Sequence, residues 1–153
     1  MLELKIPPPI VGAIAAAGAW LVAGMPGLAA LSSVPAPRLI LAGALAAAGL
    51  VIDLAGVLAF LRAKTTVNPL RPDRTSQVVD TGIYAFTRNP MYLGFALVLA
   101  GWITLLGSVA GGLALPAFIA YITRFQIEPE ERHLRAKFGA AYDAYCARVR
   151  RWV

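Results

Sequence analysis

Two short clusters hold most of the residue types able to do chemistry. One is Arg88-Asn89-Pro90-Met91-Tyr92, with Tyr84 just before it; the other is Glu128-Pro129-Glu130-Glu131. Asn89 suits a helix N-cap and Pro90 the first helical position, so a helix is predicted to start there. Its free N–H groups and positive dipole end suit an anion such as a carboxylate, with Arg88 beside them. Plain capping, with Arg88 and Tyr92 as interfacial anchors, accounts for the same residues. Pro129 can open a further helix with Glu130 and Glu131 in its first turn, where acids are favoured. That pair of carboxylates suits an ammonium or a ribose; it equally suits the start of an amphipathic helix at a membrane surface. Glu131 and Arg135 have the spacing of an i,i+4 ion pair. Asp53 stands alone in an apolar run, at a depth where an ionisable group is expensive and faces protein or a water-filled cavity. It reads either as a pocket group or as a hydrogen-bonded packing residue.

Other chemistries are excluded by composition. The chain has one cysteine, Cys146, and one histidine, His133, so neither a disulfide framework nor a Cys-rich zinc site is available, and no metal is expected. There is no GxGxxG after a strand, no GxxxxGK[ST], no HExxH and no GxSxG. The net charge of +6 carries no nucleic-acid-binding signature, so it points to a membrane surface and not to nucleic acid.

The elements that must position these clusters are apolar helices. Hydrophobic residues make up 59% of the 153-residue chain, and mean hydropathy is +0.69. A soluble chain is nearer 45–50% apolar. The excess forms blocks of bilayer length. The expectation is an all-α polytopic membrane protein, one domain over 1–153, with four spans at about 10–31, 39–61, 91–106 and 109–124. The prolines at 7–9 set the start of the first. The last two form a short hairpin turning at Gly107 and Gly111, whose GxxxG spacing also suits close packing. Signal-peptide cleavage of the first block is disfavoured, because Glu3 offsets Lys5 and the apolar stretch is long.

Charge sets the orientation. The segments 62–90 and 124–153 carry all but two of the 14 Lys and Arg residues and all but two of the 8 acids. The turn between spans one and two has only Arg38, and that between three and four has no basic residue. Both termini, the loop 62–90 and the tail 125–153 are therefore expected on the cytoplasmic side of a membrane, as in a bacterial inner membrane, with the cofactor site built from loop and tail. Within the loop, 76–79 reads as extended and Asp80-Thr81-Gly82 as a turn. In the tail, Leu134, Phe138, Ala141 and Tyr145 recur at helical spacing, and Gly139 interrupts them.

Asn68-Pro-Leu-Arg-Pro72, Gly82-Ile-Tyr84 and Arg88-Asn-Pro-Met-Tyr-Leu-Gly94 resemble the signature of the isoprenylcysteine carboxyl methyltransferase and phospholipid methyltransferase family. Glu130-Glu131, Phe138-Gly139, Tyr142, Tyr145 and Val149-Arg150-Arg151-Trp152 resemble its C-terminal signature. The resemblance covers about residues 65–153. It implies S-adenosylmethionine as methyl donor and a lipophilic acceptor, an isoprenoid-type carboxylate or a lipid amine, entering from the bilayer. It also implies that Gln77, Val78, Val79, Tyr84, Asn89, Pro90, Met91, Tyr92 and Glu130 line the cofactor site. Arg88 and Glu130 are the expected catalytic pair: Arg88 and the start of the third span are expected to hold the cofactor's carboxylate, and Glu130 with Glu131 its ammonium or ribose hydroxyls. In the prenylcysteine branch an arginine stands where this chain has Gln126; Arg124 is two residues earlier on another helical face. That departure argues against a prenylcysteine carboxylate. Gln126, Arg124 and Asp53 are the residues expected at the acceptor. Methyl transfer from a sulfonium needs positioning and desolvation more than acid–base groups, so a chain this poor in His and Cys can perform it. The alternatives are an NADPH-using sterol-reductase-like enzyme and a non-catalytic membrane scaffold. Oligomeric state is left open.

Overall fold

The computed structural model describes residues 3–24, 27, 33–63 and 78–153. Those residues are helical or irregular, with no strand among them. Six α-helices follow in order: α1 Pro8–Val22, α2 Ala36–Arg62, α3 Pro90–Leu106, α4 Ala114–Ile122, α5 Glu128–Phe138 and α6 Ala140–Arg148.

The first helix begins inside the proline run and not after it. Pro7 is its N-cap and Pro8 and Pro9 fill the first positions, where a missing N–H is harmless. It ends at Val22, well short of residue 31, with Gly24 just beyond in a left-handed conformation. The turn at Gly107 is as expected: its φ of 67° caps α3. Arg38, the basic residue that departs from the charge asymmetry, lies against Gly107, where its cation meets the negative end of α3.

Among the described residues, one helix, Ala36–Arg62, is long and apolar enough to cross a membrane; Pro8–Val22 and Pro90–Leu106 are apolar but shorter. On α2 only Ala42, Gly49 and Gly56 are buried. Leu39, Ile40, Leu50, Val51, Leu54 and Leu61 are more than half exposed. A helix with so much apolar surface outward suits lipid rather than water. The buried three recur every seven residues and meet α3. A Cβ at Gly49 would lie 2.6 Å from the Gly94 carbonyl oxygen, and one at Gly101 2.7 Å from that of Ala42. Backbones this close require glycine. On its other side α3 packs with α1 and α4 through Val11, Tyr92, Ala96, Leu99, Phe118 and Ile122. The Trp102 indole N–H donates to the Ala16 carbonyl at 3.0 Å.

Pro129 stands in the first turn of α5 with Glu130 and Glu131, as expected, but no break separates α5 from α4. The chain runs helically from Ala114 to Phe138, with a π turn at Thr123–Ile127. A proline inside a helix leaves the carbonyl one turn earlier without its usual donor. Here the Leu4 N–H reaches that carbonyl, Phe125 O, at 3.0 Å. The same N-terminal segment accepts Gln126 Nε2 at the Ile6 carbonyl, 2.7 Å. Glu3 pairs with Arg124 at 3.1 Å and Arg132 at 2.7 Å. The segment before α1 is thus fastened to the tail.

Gly139 separates α5 from α6 as expected, with a φ of 51°. The break shifts the helical phase, so Tyr142 is buried with Tyr145 and Val149 while Ala141 is exposed.

Candidate functional site

The start of α3 and the start of α5 lie side by side. The Tyr92 hydroxyl donates to Glu130 Oε1 at 2.6 Å. Burial pushes the Glu130 carboxyl up to about 8; the Tyr92 bond works against that rise, and the Glu131 charge adds to it. No cation pairs with Glu130 among the described residues.

Glu131 points the other way and does not pair with Arg135. Its Oε1 accepts from Arg88 at 3.0 Å, and Arg151 grips it with two bonds of 3.0 and 2.7 Å. Arg135 bonds Asp143 instead, at 2.7 Å. The C-terminal stretch is pinned onto the start of α3: Arg88 N–H donates to the Arg150 carbonyl at 3.0 Å, and Asn89 Nδ2 to that of Arg151 at 2.8 Å. Asn89 occupies the N-cap position, but its side chain makes no capping bond. Arg88 retains one buried donor, Nε, with no hydrogen-bond partner.

The ring of Tyr84 is buried and meets Phe60 edge-on, with centroids 5.2 Å apart. Tyr145 holds its backbone, donating to the Tyr84 carbonyl at 2.8 Å. Burial raises the Tyr84 phenol above its ordinary range, and the nearby Tyr145, Glu130 and Asp53 raise it further. Tyr84, Glu130 and Asp53 therefore share one electrostatic neighbourhood. Val79 is buried, and Val78 packs on the Tyr142–Tyr145–Val149 cluster. Both border a hollow of about 330 Å³ with Ala59, Arg62 and Asp80. Pro90 and Met91 pack over Gly56. Gln77 lies outside the described residues.

A family model for phospholipid methyltransferases matches residues 37–141, well over half the chain. The chain belongs to the phospholipid methyltransferase family. The matched stretch holds Asp53, Tyr84, Arg88, Tyr92 and Glu130, and leaves out α1 and Arg151. An uncharacterized protein of Haemophilus influenzae is 43% identical over 63 residues, which is 41% of this chain and all of that one. The protein-S-isoprenylcysteine O-methyltransferase of Schizosaccharomyces pombe is 33% identical over 72 residues, 47% of this chain but only 30% of the yeast protein. No solved structure matches.

The three acceptor residues are not brought together. Arg124 is exposed and engaged by Glu3 and, at 3.6 Å, by Glu128. Gln126 is fully buried against the N-terminal segment, and its Oε1 has no hydrogen-bond partner. Asp53 lies between α2 and α3, its carboxyl against Gly94, where any Cβ would collide with it. Sequence reasoning missed Arg151 as a partner of Glu131. It missed the small-residue seam too, although Ala42, Gly49 and Gly56 carry a heptad spacing that signals close packing.

Proposed function

We propose that the protein is an S-adenosylmethionine-dependent methyltransferase acting on a lipophilic acceptor at the cytoplasmic face of a membrane, probed most directly through Glu130. The observation that carries this reading is the Tyr92–Glu130 pair, a desolvated carboxyl beside two buried tyrosines with no cationic partner among the described residues. Such a site favours a cation, through a charge-assisted hydrogen bond and through the aromatic faces. The cofactor carries an ammonium and a sulfonium, and its carboxylate suits the unpartnered Nε of Arg88. Glu130 would hold the ammonium or a ribose hydroxyl, Arg88 the carboxylate, and Tyr84 and Tyr92 would exclude water around the sulfonium. Glu131 is assigned to the Arg88–Arg151 network and orients Arg88. When bound, the cofactor supplies the methyl group for an in-line displacement.

Four spans with cytoplasmic termini belong to the same reading. Glu3 bonded to Arg124 and Arg132 supports an even number of crossings between them. Short α1 and α3 would cross with thinning or tilt at modest cost. The apolar outer face of α2 supports an acceptor that arrives through lipid.

The test is a titration of S-adenosylmethionine, its demethylated product and NADPH into the purified protein in micelles, read by calorimetry and thermal shift. A ligand at a hundred times its dissociation constant adds about 2.7 kcal/mol of stability. Stabilisation by the sulfonium cofactor supports the reading. Stabilisation by NADPH alone replaces it with a reductase. No response in folded protein leaves a scaffold.

A further inference from the structure

Arg88 is the side chain assigned to the cofactor's carboxylate, yet it already touches a carboxylate of the protein, that of Glu131. An arginine offers Nε and the Nη beside it as one edge, a fork that matches the two oxygens of a carboxylate. Arg151 spends that edge on Glu131: Nε donates to Oε1 at 3.0 Å and Nη2 to Oε2 at 2.7 Å. Arg88 reaches only the shared oxygen, Oε1, through Nη2 at 3.0 Å. Its Nε, on the same edge, is buried and has no hydrogen-bond partner among the described residues. Two arginines thus face one glutamate, and the surplus positive charge lies with the less engaged of them, Arg88.

The backbone delivers Arg151 to this place. The Arg88 N–H donates to the Arg150 carbonyl at 3.0 Å, and Asn89 Nδ2 to the Arg151 carbonyl at 2.8 Å. Trp152, next along, packs against the cluster of Val11, Tyr92 and Ile127. The C-terminal stretch is therefore fixed on both sides of Arg151. The side chains of Arg88 and Glu131 are only 13% and 10% exposed, so water does little to offset an unmatched charge between them. Without Arg151, Arg88 can close both Nε and Nη2 on the two oxygens of Glu131. That bidentate pair neutralises Arg88 and takes up the donor left for a ligand.

We propose that Arg151 is a positioning residue for the cofactor's carboxylate: by taking both oxygens of Glu131 it leaves Arg88 its Nε and a net positive charge with which to hold an anion. This rests on the methyltransferase reading. Arg151 acts through Glu131 on Arg88. The family model ends at residue 141, so it takes in Arg88 and Glu131 but not the residue that sets them against each other.

The test titrates S-adenosylmethionine and its decarboxylated form calorimetrically into the full chain in micelles. Both ligands carry the adenosine, the sulfonium and the ammonium; only the first has the carboxylate. Wild type should prefer S-adenosylmethionine by about tenfold or more, the worth of one charge-assisted hydrogen bond. Arg151→Gln should lose most of that preference, binding S-adenosylmethionine about tenfold more weakly and the decarboxylated form within about twofold of wild type. Adding Glu131→Gln to Arg151→Gln removes the competing carboxylate, so the preference should return. A residue that only supports the fold would lower both affinities together, and the second substitution would make matters worse. Equal losses for the two ligands in Arg151→Gln therefore overturn the proposal. So does an unchanged preference in the folded variant, or a double variant no better than the single one. Arg151→Lys keeps the charge but not the fork and should lose part of the preference. It carries the comparison if Arg151→Gln does not fold, and a full preference there overturns the proposal. Wild type that binds both ligands equally also overturns it, while the methyltransferase reading stands. Folded wild type that binds neither removes that reading and the proposal with it.

Discussion

Tyr92, in the first turn of α3, donates to Glu130, in the first turn of α5, across 2.6 Å. This bond joins the two sequence clusters that hold the protein's polar chemistry. It gives Glu130 a neutral partner, while Glu131, one residue on, takes two cations. Neighbouring glutamates thus have opposite surroundings. If Glu130 carries the cofactor's ammonium, Glu130→Gln should weaken S-adenosylmethionine binding by about 1–3 kcal/mol, the worth of a charge-assisted bond. Calorimetry on folded variant protein decides this; an unchanged dissociation constant removes Glu130 from the site.

The same carboxyl makes binding and stability depend on pH in opposite directions. Its folded pKa, about 8, lies above the ordinary 4.5 because burial disfavours the charged form. A raised folded pKa contributes stability that is complete below the unfolded value and is lost as pH rises through the folded one. The ligand-free protein should therefore lose stability between about pH 4.5 and 8. If Glu130 holds the cofactor's ammonium, binding needs the ionised carboxylate, so affinity should rise over that interval and level off above about 8. Thermal unfolding and titrations from pH 5 to 9 read both trends. Glu130→Gln should flatten both, and trends that persist in it belong to another group.

The Arg88–Glu131–Arg151 network should behave as a unit. Removing one cation from a buried pair leaves charge uncompensated, at about 3–5 kcal/mol for a fully buried pair. The Arg151 side chain is 35% exposed, so Arg151→Ala should cost less than Arg88→Ala, about 1 kcal/mol against about 2–3. In the double variant with Glu131→Gln the losses should be less than additive. Additive losses would mean that the three residues do not share one network.

How much of this was legible in the sequence depends on the range of the interaction. Starts and stops set by local chemistry were readable: Pro90 opening α3, Gly107 closing it, Gly139 parting α5 from α6. The start of α1 lies two residues before the apolar block because the first helical turn tolerates Pro8 and Pro9. The continuity through Pro129 was not readable, since the donor that makes it possible comes from Leu4, far away in sequence. The site residues were named from a resemblance. Their partners, such as Arg151 for Glu131, needed the fold, because the i,i+4 option with Arg135 looked equally good locally.

The glycine seam gives a prediction with an internal control. Gly49→Ala places a Cβ 2.6 Å from the Gly94 carbonyl and should destabilise by about 1–3 kcal/mol through overpacking. On the same helix, Gly43→Ala meets nothing within 4 Å and should stabilise by about 0.5–1 kcal/mol, since alanine loses less backbone entropy. Thermal unfolding of both should give shifts of opposite sign. Two equal losses would mean that helix propensity, and not contact with α3, governs the position.

The N-terminal fastening should be separable from helix stability. Pro129→Ala restores an N–H able to return to Phe125 O, the carbonyl that Leu4 now occupies. Two donors then compete for that acceptor, and the π turn can relax toward α geometry. Relaxation removes the extra residue of the π turn and so rotates the positions on one side of it relative to the other. Glu130 would leave Tyr92, and Gln126 would leave Ile6. The helix itself loses nothing, because alanine is the better helical residue by about 3 kcal/mol in an interior position. The expected outcome is faster hydrogen exchange at residues 3–6, weaker S-adenosylmethionine binding, and a melting temperature equal to or above that of the parent. A purely structural proline would show the first and last of these without the loss of affinity. Glu3→Lys, which repels Arg124 and Arg132, should reproduce the faster exchange without touching Pro129. If neither variant changes exchange at Leu4, the segment is not held by the tail, and the bond to Phe125 O has no part in fixing where Glu130 points.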